Sequence, residues 1–90
     1  MNNTIKYHGT EIESNEIVIE AIVDNISLSI IKHDNNIFIA SLKEINYDSV
    51  IEYESYILDE YEVELLSNRE SCYDFVVDFF NEYCCSYAML

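Results

Sequence analysis

The stretch Ile26-Ser27-Leu28-Ser29-Ile30-Ile31-Lys32-His33-Asp34-Asn35-Asn36-Ile37-Phe38-Ile39-Ala40-Ser41-Leu42 decides the fold. Ile26, Leu28 and Ile30 alternate with Ser27 and Ser29, the period-two signature of a strand with one buried face. Asp34-Asn35-Asn36 is turn chemistry, because Asn and Asp tolerate left-handed backbone and bond to their own main chain. Ile37 to Leu42 reads as the returning strand, so 26–42 is expected to be a β-hairpin.

Towards the N-terminus, residues 16–23 (Glu-Ile-Val-Ile-Glu-Ala-Ile-Val) are short and β-branched, which predicts another strand. Thr4 to Tyr7, ahead of His8-Gly9, reads as an edge strand. Towards the C-terminus, residues 48–66 fit two patterns. Ile51, Tyr53, Ile57, Tyr61, Val63 and Leu65 share one parity, and Glu52, Glu54, Glu60, Glu62 and Glu64 share the other, as in a strand. Asp59 breaks that alternation. A helix from Asp48 would instead align Tyr47, Val50, Ile51, Leu58 and Tyr61. Strand is favoured for 60–66, and 48–58 stays open between the two.

Ser67-Asn68-Arg69-Glu70 has the form of a capping box, with Ser67 as N-cap and Glu70 reaching back. Behind it, Cys72, Phe75, Val76, Phe79, Phe80, Tyr83, Cys84 and Tyr87 recur at intervals of three and four, an apolar stripe along a helix over 68–86. So wide an aromatic stripe is core packing. The expected architecture is α+β: an antiparallel, meander-like sheet of about four to five strands, covered on its apolar face by this C-terminal helix.

The 90 residues allow one domain, 1–90, with one modest core. Eighteen acids stand against four bases, and no apolar run approaches the length that spans a bilayer. The N-terminus lacks the basic stretch and apolar run of a secretory signal, so a cytoplasmic protein is expected. A formal net charge of −14 argues against direct binding to nucleic acid or to an anionic membrane, which needs clustered Lys and Arg. It favours steered association with a basic partner. The charge is uneven. Residues 1–43 hold six acids against Lys6, Lys32 and Lys43, whereas residues 44–90 hold twelve against Arg69 alone.

No catalytic constellation emerges. His8 and His33 flank turn signals and are expected in solvent. A phosphate-binding glycine loop, a nucleophile elbow and metal-ligand spacing are all missing. Asp34-Asn35-Asn36 opens no calcium loop, since neither the mid-loop glycine nor the closing glutamate follows. Cys72, Cys84 and Cys85 read as reduced core cysteines. Neither an enzyme, a metal nor a cofactor is expected.

Carboxylates in rows have another use. Glu60, Glu62 and Glu64 on a strand would lie about 6.7 Å apart. Glu70, Asp74, Asp78 and Glu82 on a helix would lie about 6 Å apart, with Arg69 off the row and no base placed to relieve them. One strand of B-DNA carries a charge every ~3.4 Å. Two flanking rows would therefore approach what a DNA-binding groove accepts. Eight tyrosines lie partly among these acids, and Tyr56 and Tyr73 fall off the apolar pattern, as interface aromatics do.

A small, acidic, Tyr- and Glu-rich domain with an Ile/Asn bias and these two rows resembles the phage-encoded antagonists of bacterial defence, the anti-CRISPR proteins and antirestriction DNA mimics. The resemblance is one of size, composition and carboxylate rows rather than of a motif. It implies an inhibitor, monomeric or dimeric, acting in the bacterial host cell on the Arg- and Lys-lined nucleic-acid-binding surface of a Cas effector or restriction enzyme. The residues expected at that interface are Glu52, Glu54, Tyr56, Glu60, Glu62, Glu64, Glu70, Tyr73, Asp74, Asp78 and Glu82. An acidic immunity protein or antitoxin that neutralises a basic nuclease toxin would ask for the same surface.

Overall fold

The computed structural model describes residues 3–7, 10–14, 16–53 and 55–84. The predicted hairpin lies at its centre. Strands β4 (Ile26–Asp34) and β5 (Ile37–Ile45) pair antiparallel with Leu28 opposite Leu42 and Ile30 opposite Ala40, joined at Asn35-Asn36. The Asn35 N–H donates to Asp34 Oδ1 at 2.7 Å, a local side-chain bond to the adjoining main chain at the turn. Strand β3 (Ile17–Val23) precedes β4 through the two-residue turn Asp24-Asn25. Asp24 has φ 54°, the left-handed conformation that such tight hairpins require and that Asp tolerates.

The open segment 48–58 resolves as two short strands on β5. Strand β6 (Val50–Glu52) pairs with 43–45, and β7 (Tyr56–Leu58) pairs with 38–40. The main sheet is thus five-stranded and antiparallel, in the order β3-β4-β5-β6 with β7 also on β5.

Thr4–Tyr7 is a strand, but not an edge of this sheet. β1 (Asn3–Tyr7) pairs only with β2 (Thr10–Ser14), a strand the sequence pattern did not single out. This hairpin lies over the outer face of the sheet, where Ile5, with Tyr7 and Ile12, packs on Ile31 and Ile39. That second layer explains why the serine alternation of β4 gives way to Ile30-Ile31, and why Phe38-Ile39-Ala40 is unbroken. A strand covered on both faces loses its polar parity.

The inner face carries the main core. Ala21, Leu28, Ile30, Phe38, Ala40, Leu42 and Leu58 pack against two helices, α1 (Glu60–Ser67) and α2 (Cys72–Cys84), through Val63, Phe75, Val76 and Phe79. The α+β arrangement with a C-terminal helix on the sheet is as expected. No helix of the described residues is long and apolar enough to cross a membrane.

Two boundaries differ from the sequence reading. Residues 60–66 are helix, not strand. Asp59 is the N-cap: its carboxylate accepts the Glu62 N–H at 2.8 Å, and the Glu62 carboxylate accepts the Asp59 N–H at 3.1 Å. This reciprocal box outweighs a period-two pattern only seven residues long. Ser67 is then the last residue of α1 rather than a cap, and its hydroxyl donates to the Glu64 carbonyl at 3.0 Å. The Arg69 N–H bonds the Leu66 carbonyl and closes that helix. The cap of α2 is Ser71, whose Oγ accepts the Asp74 N–H at 3.3 Å, so the helix begins at Cys72 rather than at 68. Within the predicted stripe, Phe75, Val76 and Phe79 are buried, but Cys72 at the helix start is exposed and not a core cysteine. Tyr87, Cys85 and His8 lie outside the described residues, and His33 is exposed as expected.

The α1 box yields a first prediction. Asp59→Ala removes the side-chain acceptor of the Glu62 N–H, leaves the residue-59 N–H on the Glu62 carboxylate, and is expected to lower stability by about 1 kcal/mol. Urea unfolding checks it. An unchanged midpoint would mean that packing of Val63 and Leu66, not the cap, holds α1 in place.

Candidate acidic interface on the helical face

Between positions 59 and 82 the chain places eight acids and one base. The fold gathers them on one side, because α1 and α2 both pack on the inner face of the sheet. A helix shows one flank to the core and the rest to water. On α1, Val63 faces in, while Glu60 and Glu64, one turn apart, are exposed together with Tyr61 and Leu65. On α2, Phe75, Val76 and Phe79 face in, while Tyr73, Asp74, Asp78 and Glu82 are exposed. Glu60 and Glu62 in the first turn of α1, and Asp74 in that of α2, also sit at the favourable end of each helix dipole.

Several expected roles change. The strand row Glu60/Glu62/Glu64 does not exist, since on a helix the middle residue turns to the other flank. Glu62 is half-buried there and occupied: besides capping α1 it accepts the Tyr83 hydroxyl at 3.3 Å. The helical row loses its first member, because Glu70 stands in the linker before α2. Its middle is neutralised. Arg69, expected off the row without a partner on it, forms a charge-assisted bond to Asp78. The linker between the helices folds the guanidinium back over the second turn of α2, which sequence spacing does not reveal.

Tyr56 is not an outward aromatic. It is half-buried, its hydroxyl donates to the Tyr83 carbonyl, and its ring lies 4.9 Å from that of Tyr83 and 6.3 Å from that of Phe79. Tyr73 is exposed, as expected. Tyr53 packs edge-on to Phe80 at 5.3 Å and donates to Glu44 at 2.7 Å. Glu52 stands on β6 in register with Lys43, apart from the helical acids. Glu54 lies outside the described residues.

Where the helices meet, Glu62, Leu65, Leu66, Arg69, Glu82 and Tyr83 line a shallow cleft of about 230 Å³. The Tyr83 hydroxyl is pushed up to about 12, first by burial and then by the carboxylates of Glu62, Glu82 and Asp59. Tyr83 therefore stays protonated and donating across the physiological range. Chemically, the helical face offers carboxylates spaced by helical turns, an exposed tyrosine and one base already paired to an acid. That arrangement suits recognition of cations.

No protein-family model, curated protein or solved structure matches the chain.

Proposed function

We infer that this protein is a small acidic inhibitor that binds the positively charged nucleic-acid-binding surface of a bacterial defence effector, in the manner of the anti-CRISPR DNA mimics. The observation that carries the reading is the α1–α2 face. It exposes Asp59, Glu60, Glu64, Glu70, Asp74, Asp78 and Glu82 with Arg69 as their sole base, and Arg69 is spent on Asp78. Glu60 and Glu64 on α1 lie about 6 Å apart, and on α2 the unpaired Asp74 and Glu82 lie about 12 Å apart on either side of Asp78. Arg and Lys that grip phosphates pair with carboxylates by the same charge-assisted bonds. Tyr73 at 58% exposure and Tyr61 at 68% supply flat contact area between the charges. The function is binding, without catalysis or a cofactor.

Gel-shift competition against a panel of Cas effectors, restriction enzymes and nucleases tests this. The chain is expected to displace nucleic acid from its target, and saturating nucleic acid is expected to block the chain in return. Affinity should fall steeply with added salt, as for a contact between opposed charged surfaces. If preloaded nucleic acid leaves binding to the target unchanged, the mimicry fails. If the target is a toxin nuclease, the protein is an immunity protein.

A further inference from the structure

On the opposite side of the sheet, the β1–β2 hairpin covers Ile31 and Ile39 but leaves the neighbouring stretch of the outer face open. There a cleft of about 210 Å³ is lined by Ser27 and Ser29 of β4, Ser41 and Lys43 of β5, Thr4 and Ile5 of β1, and Glu20 of β3. The pairing register sets the polar groups side by side. Ser29 lies opposite Ser41, and Ser27 lies opposite Lys43. Three hydroxyls and one ammonium thus meet within two strands, with Cα separations of about 5 Å across the ladder and about 6.7 Å along it.

None of these groups is used by the fold. Among the described residues, the Ser27, Ser29 and Ser41 hydroxyls make no hydrogen bond and Lys43 makes no ion pair. Ser41 is the most enclosed of them, only 7% exposed, and it lines the cleft, so its hydroxyl is open to whatever fills that space rather than sealed in the core.

We propose that this cleft is a binding site for a phosphoryl group, as inorganic phosphate or a small phosphomonoester. Four donors converge on one space, and a phosphate offers more acceptor oxygens to meet them than a carboxylate does. Lys43 supplies the charge and the serines supply directed hydroxyls. The acids of α1 and α2 lie beyond the sheet, about 10 Å or more away, a distance at which salt of physiological strength screens them. The local opponents are Glu20 on the wall and Glu52, opposite Lys43 on β6. The site is independent of the inhibitory reading of the helical face.

The test is an amide NMR titration of the full chain at constant ionic strength with inorganic phosphate, glycerol phosphate and acetate. Phosphate or its monoester is expected to shift Ser27, Ser29, Ser41 and Lys43 saturably, and acetate is expected to do so far less. Lys43→Met, an exposed position, should weaken binding about tenfold or more. Glu20→Gln should strengthen it, a gain that a merely structural role for Glu20 would not produce. Tighter binding of the monoester than of free phosphate supports the organic ligand, and equal binding supports the inorganic one. Absence of saturable shifts, equal shifts with acetate, or shifts that survive Lys43→Met would overturn the site and leave a cleft that holds only water.

Discussion

Phe79→Ala is expected to destabilise the protein by about 3–5 kcal/mol. Phe79 is 1% exposed and is the largest of the fully buried side chains. It lies in the core between α2 and the sheet and is the hub of the aromatic group, with its ring 4.3 Å from Tyr83 and 6.3 Å from Tyr56. Truncation removes the transfer free energy of the ring and leaves a cavity. The walls of that cavity are a sheet fixed by its ladder and a helix fixed by neighbouring Phe75 and Val76, so collapse into it is limited. A domain of this size has about 5–15 kcal/mol in total, so the loss consumes a large share. Urea unfolding should show a much lower midpoint with an unchanged slope. Phe80→Ala, on a half-buried ring one position on, should cost clearly less. Equal losses at 79 and 80 would mean that the helix is rotated from the orientation described.

How much of this was legible depends on whether local chemistry and tertiary demand agree. They agree at 26–42. The turn residues and the alternation point the same way, and the hairpin is there. They agree along 75–83, where the stripe fixes which side of α2 faces the sheet. At 60–66 they compete. Glu60, Glu62 and Glu64 alternate with Tyr61, Val63 and Leu65, as a strand would, while Asp59 and Glu62 spell a capping box. The box wins because it satisfies backbone donors and because a helix turns Val63 and Leu66 into the core together. The same motif misleads at Ser67-x-x-Glu70, since the chain needs those residues to leave one helix and reach the next. Ser71-x-x-Asp74, a near-identical signal four residues later, is the true start. The second layer over the sheet was visible only as a broken alternation at Ile30-Ile31 and Ile37-Phe38-Ile39. For the acidic face, Asp74 and Glu82 on α2 were legible from spacing. The burial of Tyr56 and the reach of Arg69 were not, because both depend on contacts between segments distant in sequence.

The second large effect is expected from charge. Replacing Glu60, Glu64, Asp74 and Glu82 together by Ala should weaken binding to the basic target about tenfold or more, since each charge fully enclosed at an interface accounts for about 2–5 kcal/mol and each at the rim for far less. All four side chains are exposed, and the cap and core contacts of both helices are left in place, so the fold should survive. Glu62 is excluded from the set because it caps α1 and accepts from Tyr83, and its loss would mix folding with binding. Asp78 is excluded because its removal would free Arg69, adding a positive charge to the face as well as subtracting a negative one. The weakening should appear as slower association and a shallower salt dependence, because fewer charges then steer the encounter. Glu13 and Glu16, exposed on the far side in β2 and the link to β3, form the control pair. Their replacement by Ala should change affinity little at physiological salt, where charges beyond about 8 Å are screened. Should the control pair reduce binding more than the four helical acids, the working face is the outer side of the sheet, and the acids of α1 and α2 serve solubility alone.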